Sequence, residues 1–148
     1  ETPEVGHMTF SPRFDMSPKA EEFQKYGVKC GCGRTNDMES VISGRGIRNV
    51  YGKPPEDIDD PKVWQEIGHN LGQGLINVTY AYAPSLVVLG EGVALGAGQK
   101  LTELARLYIE EKQKEGGLVV SMPEIRLTQQ GSMTNLLGAL AFAMADEV

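Results

Sequence analysis

D-P-K-V-W-Q-E-I-G-H-N-L-G-Q-G-L-I-N-V-T-Y-A-Y-A-P-S-L-V-V-L-G, Asp60 to Gly90, reads as one long helix, a stop and a strand. Asp60 suits an N-cap and Pro61 the first helical position, where the missing N–H is one the helix cannot use. Trp64, Ile67, Leu71, Leu75, Val78 and Tyr82 then recur at three- and four-residue intervals and predict a packing face. Pro84 ends the run. Gly68, Gly72 and Gly74 each weaken a helix by roughly 1 kcal/mol relative to alanine, so their presence predicts close approach by another element. Leu86 to Leu89 is wholly apolar, which predicts a strand buried on both faces, as in a parallel sheet.

Working outward, a second helix is expected over about Ala97 to Gln113, with Leu101, Leu104, Tyr108 and Ile109 inward. Gly116-Gly117 closes it. L-V-V-S and E-I-R-L give one strand or two short ones separated by Pro123. Asn135 to Ala145 predicts a closing helix, with Thr134 as its cap and Leu136, Leu137, Leu140, Ala141 and Met144 toward the core. The order implies an open α/β layer sandwich. Two or three strands are few for five helical segments and leave exposed sheet edges, so a further half, from upstream sequence or a partner, is expected.

Upstream of Asp60 the pattern is weaker. Residues 1 to 35 are irregular, with Pro3, Pro12 and Pro18 and a short helix expected around Ala20 to Tyr26, and they read as a surface excursion pinned by a few contacts. Asp37 to Val50 is weakly helical, interrupted by S-G-R-G. Y-G-K-P-P-E-D-I-D-D is a connector.

Composition limits the function. A chain of 148 residues with 41% apolar content fits one domain. Its net charge of −6 and its pI near 4.9 come without a basic run, so nucleic acid is not an expected partner of this segment. The apolar runs are too short to span a membrane, and the acidic opening E-T-P-E lacks a signal peptide's basic start. A cytoplasmic protein is expected. The start at Glu1 carries the expectation that residues precede it.

Chemistry-bearing residues concentrate at the front. Glu4, His7, Cys30, Cys32, Asp37 and Glu39 lie within 36 residues. Zinc takes four ligands from thiolate, imidazole and carboxylate, and a metal could order the irregular segment by making binding free energy into folding free energy. Two free cysteines in a glycine turn remain the alternative. A disulfide at C-x-C spacing would close a strained ring, and no C-x-x-C supports redox chemistry. Glu4 and His7 together could accept from and donate to vicinal hydroxyls of a polyol. His69, inside the long helix, reads as structural or exposed. The turn Gly90-Glu91-Gly92 follows a strand, where α/β proteins bind ligands. It matches neither the dinucleotide fingerprint nor a Walker A loop, and a tight turn explains it equally well. Glu91 would repel phosphate but tolerate a sugar or base edge.

In order, these signals resemble the ROK family (repressor, open reading frame, kinase) of sugar kinases and regulators, in the actin-like ATPase superfamily with its ribonuclease H-like domains. E-V-G-H, Glu4 to His7, resembles the family's E-x-G-H element. C-G-C-G-R-T-N-D-M-E resembles C-x-C-G-x-x-G-C-x-E, and S-G-R-G-I follows where members have a small-residue segment. The long helix, L-V-V-L-G-E-G-V and the terminal L-L-G-A-L-A-F-A keep the family's order. The resemblance implies that Glu4, His7 and Glu39 contact sugar hydroxyls, and that His7, Cys30 and Cys32 bind zinc. It also implies that Gly90 and Gly92 are the outer members of a turn near the adenosine of ATP, with Glu91 replacing a middle glycine.

Two departures stand out. Asn36-Asp37 replaces the family's G-C, so a third cysteine is absent and Asp37 is left to complete the metal set. The phosphate loop D-x-G-G-T and the asparagine-aspartate pair that supplies the base are also absent, and the spacing from His7 to Cys30 is longer than usual, as though M-T-F-S-P-R-F-D-M-S-P-K-A-E-E-F were inserted. The expectation is therefore the C-terminal part of an actin-like domain, an open mixed sheet flanked by helices. Residues 1–50 would hold the sugar and zinc segment and 60–148 the helix–strand core. The parent would be a glucokinase-like enzyme using ATP and magnesium on a hexose or amino sugar, and the chain would be inactive without its N-terminal half. The alternatives are the sugar-sensing part of a ROK regulator and a non-catalytic sugar-binding module. Homodimerisation is left open.

Overall fold

The computed structural model describes residues 4–90, 92–116 and 120–133. The helix expected after Asp60 forms as α4, Pro61–Tyr82, and the Asp60 carboxylate accepts from Lys62 N at 2.8 Å. The strand forms as β1, Leu86–Leu89. Before them come α1 (Ala20–Tyr26), α2 (Met38–Ile42) and α3 (Gly44–Tyr51); after them come α5 (Gly92–Ala97), α6 (Gln99–Lys114) and β2 (Glu124–Leu127). β1 and β2 pair in parallel, Leu86 opposite Glu124 and Leu89 opposite Leu127. Among the described residues this is an open two-stranded sheet with helices packed against it.

Glycines on α4 do what their positions predict. A Cβ on Gly68 would lie 2.4 Å from Leu104 Cβ of α6, and one on Gly72 2.9 Å from the Ala105 carbonyl oxygen. On the other side of the helix, a Cβ on Gly74 would meet Met38 Cε of α2 at 2.7 Å. Gly68 and Gly72 let α4 approach α6 at backbone distance, and Gly74 leaves room for the Met38 side chain of α2. Ile67, Leu71 and Leu75 share one buried core with Ile47, Val41 and Val50, and Trp64 donates its indole N–H to the Ile58 carbonyl at 2.8 Å.

Four expectations change. Tyr82 points outward, because Thr79 takes the inward position of the last turn and bonds back to the Leu75 carbonyl at 2.8 Å. β1 is not buried on both faces: Val87 and Leu89 pack on the core, while Leu86 and Val88 are 41% and 51% exposed. The S-G-R-G break is a helix restart, with Ser43 ending α2 and its hydroxyl accepting from Gly46 N at 3.0 Å to cap α3. The helix expected over about Ala97 to Gln113 forms as α6, but an unexpected short helix, α5, precedes it, with Gly98 in a positive-φ conformation between the two. The closing helix expected over 135–145 lies outside the described residues, as do Leu118 and Val119 of L-V-V-S, whose described residues Val120 and Ser121 form no strand.

The front segment is more than a surface excursion. Phe14 and Phe23 are buried with ring centroids 5.6 Å apart. Asn70, fully buried on α4, accepts from Arg13 N at 2.8 Å and donates to its carbonyl at 3.0 Å, an amide clip on the passing backbone. Glu66, one turn earlier, accepts from Met16 N at 3.0 Å and from the Tyr51 hydroxyl at 2.9 Å. The apparent insertion is thus a strap sewn to α4 by buried polar side chains, which satisfy backbone groups that lack a ladder of their own. No helix among the described residues is long and apolar enough to cross a membrane.

Candidate metal and sugar-binding site

The strap delivers His7 to the cysteine loop. Lys29 and Thr35 form an antiparallel bridge, Cys30 N donates to the Arg34 carbonyl at 2.8 Å, and Gly33, at φ +90°, turns the loop between them. Asn36 follows in the left-handed region (φ 55°), a conformation asparagine tolerates, and its side-chain oxygen accepts from Val28 N at 2.8 Å. This kink sets Asp37 opposite Thr9, and Met38 N donates to the Met8 carbonyl at 3.2 Å. His7 and Asp37 are thereby held together although thirty residues separate them.

Ligand atoms of His7, Cys30, Cys32 and Asp37 all lie within 4.8 Å of one another. His7 Nδ1 is 3.3 Å from Asp37 Oδ2 and 3.8 Å from Cys30 Sγ, and Cys32 Sγ is 3.2 Å from the same carboxylate oxygen. A tetrahedral zinc site with bonds of about 2.0–2.3 Å has ligand–ligand edges of roughly 3.3–3.8 Å. The four residues therefore fit a small, soft-to-borderline divalent ion in both donor type and spacing. Asp37 divides its oxygens: Oδ1 accepts from Ser40 N at 2.7 Å and caps α2, leaving Oδ2 for the cluster.

Charge at the site is unbalanced without a cation. Burial alone would raise the Asp37 carboxyl, but the Ser40 N–H and the donors at Cys30, Cys32 and His7 outweigh it and hold the group at about 2. For Cys30 a backbone hydrogen bond at Cys32 pulls downward, yet desolvation and the neighbouring Asp37 carboxylate prevail and push the thiol up to about 11. A buried anion beside a reluctant thiol is an arrangement that a divalent ion would reverse.

His7 faces two ways. Its Nε2 lies 3.5 Å from Glu39 Oε2, on the half-exposed side of the ring, while Nδ1 turns to the cluster. Glu4 sits immediately before the single turn Val5–His7, and its carbonyl accepts from His7 N at 3.0 Å. The sequence-predicted metal residues and Glu39 are thus brought together. Gly90 and Gly92 stand apart from this cluster and line a hollow with Leu71, Val88 and Val93. Glu91 lies outside the described residues. Sequence reasoning missed Ser40, whose amide and hydroxyl pin Asp37 from both ends (2.7 and 2.8 Å), and Arg34, which donates to the His7 carbonyl at 3.3 Å. D-M-E-S, an acidic cap with a serine three residues on, carried the first signal; nothing local marked the second.

The ROK family pattern matches residues 1–146. A ROK hexokinase from Thermus thermophilus is similar over 92% of this chain and 45% of its own, at 26% identity and a TM-score of 0.67. A ROK family glucokinase from Streptomyces griseus, solved in complex with glucose and AMPPNP, is similar over 93% and 50%, at 21% identity and a TM-score of 0.65. A ROK family transcriptional regulator, a homolog of the E. coli MLC protein, is similar over 86% and 34%, at 21% identity and a TM-score of 0.55. The last two likenesses speak to fold alone, and no curated protein matches. The chain spans half or less of the length of these solved relatives. With the family pattern running through nearly every residue, the protein belongs to the ROK family.

Proposed function

We propose that the chain is the C-terminal, sugar-binding part of a ROK-type sugar kinase, with the metal cluster as a structural clip behind the sugar wall. The observation that carries this is the double role of His7, with Nδ1 in the cluster and Nε2 beside Glu39. A zinc ion held by His7, Cys30, Cys32 and Asp37 would neutralise the buried carboxylate and lock the loop to the strap. Glu39 and Glu4 would then accept from adjacent hydroxyls of a hexose or amino sugar, and the outward edge of His7 would donate.

Phosphoryl transfer needs an acceptor oxygen, a base, magnesium and a phosphate cradle in one place. The base and the cradle would come from the N-terminal half, with ATP as donor. A cavity of about 470 Å³ between Trp64, Arg48, Gly92 and Ala97 has the apolar walls that suit an adenosine. Isothermal titration of the chain with glucose and N-acetylated amino sugars, before and after zinc loading, tests the reading. Saturable binding lost in Glu39→Gln and His7→Gln supports it; no sugar affinity in zinc-loaded chain joined to its N-terminal half rejects it.

A further inference from the structure

Helix α3 is a ridge with a cavity on each side. One cavity, of about 400 Å³, lies toward Lys29, Cys30 and Glu39, and the other is the Trp64–Gly92 cavity. Arg45 and Arg48 line both. Arg45 is drawn over the cysteine loop so closely that a Cβ on Gly31 would come within 3.4 Å of its guanidinium.

The chain has twenty acidic and fourteen basic residues, yet Lys29, Arg45 and Arg48 meet only one carboxylate, Glu39, in the first cavity and one, Glu56, in the second. Three of the other four arginines are engaged through their side chains, Arg34 with the His7 carbonyl, Arg106 with the Ile125 carbonyl and Arg126 with Glu124 at 2.6 Å, while Arg13 lies on the strap, away from both cavities. Among the described residues Lys29, Arg45 and Arg48 have no carboxylate at ion-pair distance, and neither guanidinium donates to a protein acceptor. Arg45 and Arg48 are also i, i+3 neighbours on one helix, a like-charge spacing that works against α3. Planar guanidinium forks placed this way match the oxygens of a phosphate.

We propose that Lys29, Arg45 and Arg48 form a phosphate-binding subsite on the α3 ridge. Its neighbours as sugar wall and nucleotide cavity rest on the function proposed above; the subsite itself rests on the unpaired cations. The phosphate would come either from a nucleotide seated in the Gly92 cavity or from a phosphate carried by a sugar lying against Glu39.

Calorimetric titration of the full chain with inorganic phosphate, ATP, glucose 6-phosphate and glucose, at low and at physiological salt, separates these sources. Arg45→Gln and Arg48→Gln should each weaken the phosphorylated ligands by about tenfold or more, with glucose unchanged, and the affinity should fall as salt rises. Loss confined to ATP assigns the nucleotide source, and loss confined to glucose 6-phosphate the sugar source. Both residues are exposed, so circular dichroism should show the fold intact, and Arg45→Lys should recover part of the binding. Phosphorylated ligands that bind the double variant as they bind the parent overturn the subsite while leaving glucose binding, and the sugar reading, untouched. Phosphate binding that depends on Arg45 in a chain without glucose affinity does the reverse.

Discussion

At the scale of single residues, Asp37 carries the most weight because each of its oxygens has a different task. Asp37→Asn retains an acceptor for Ser40 N but not the anionic ligand, so it should fold normally in chelator while losing at least about tenfold in zinc affinity. Asp37→Cys supplies the third thiolate that the C-x-C-G-x-x-G-C-x-E resemblance implies and should tighten zinc, while metal-free stability drops by about 1 kcal/mol for the lost cap. Competition against a chromophoric chelator and melting with and without metal measure both. The Cys30 thiol, pushed up to about 11, must lose its proton on ligation, whereas Asp37, at about 2, is already ionised. Zinc affinity should therefore rise between pH 6 and pH 8 with release of protons, read from the buffer dependence of the binding heat. A pH-independent affinity would mean that Cys30 is not a ligand.

At the scale of elements, α4 is the spine, and its polar residues hold the strap. Asn70→Ala strips partners from both the N–H and the carbonyl of Arg13 and should cost about 2–3 kcal/mol in chemical denaturation. Gly72→Ala adds a better helix former yet collides with the Ala105 carbonyl and Tyr108, so the overlap should win and destabilise by roughly 1–3 kcal/mol. Burial raises the Glu66 carboxyl, with its two hydrogen bonds only partly opposing. In acid terms the folded chain holds this proton more tightly than the unfolded one, so Glu66 disfavours the fold as pH rises through its folded pKa. His69, tilted against Tyr108 with ring centroids 4.1 Å apart, runs the other way: burial, with Arg13 and Lys112 nearby, lowers it to about 4. The unfolded chain binds that proton first, so its contribution is lost between about pH 6.5 and pH 4. Glu66→Gln should remove the loss of stability that sets in as pH rises above the ordinary carboxylate range, read from denaturation midpoints across pH. The Asp60 cap, the glycine contacts of α4 and the span of β1 were legible because each follows from local pattern. The strap was not, since Asn70 and Glu66 look like ordinary helix residues until their partners, more than fifty positions away or nearly so, are known.

At the scale of the molecule, the sheet among the described residues is open. Leu86 and Val88 place apolar side chains in solvent on a two-stranded sheet, an edge and a face that invite further strands. On the proposed function, supplying an N-terminal half in trans should raise the melting temperature, suppress binding of a hydrophobic dye and produce ATP-dependent sugar phosphorylation; a chain equally stable and equally dye-free alone would argue against that reading. Fold class was readable from the alternation of helix and strand, but the exposure of β1 was not, because a wholly apolar tetrapeptide does not say which of its faces this chain itself covers. On the proposed function, one His7 ring would serve both zinc and sugar. An imidazole shared between a metal and a sugar makes them linked by thermodynamic necessity, so whatever factor zinc adds to sugar affinity, sugar must add to zinc affinity. Starving the protein of one nutrient would then loosen its hold on the other.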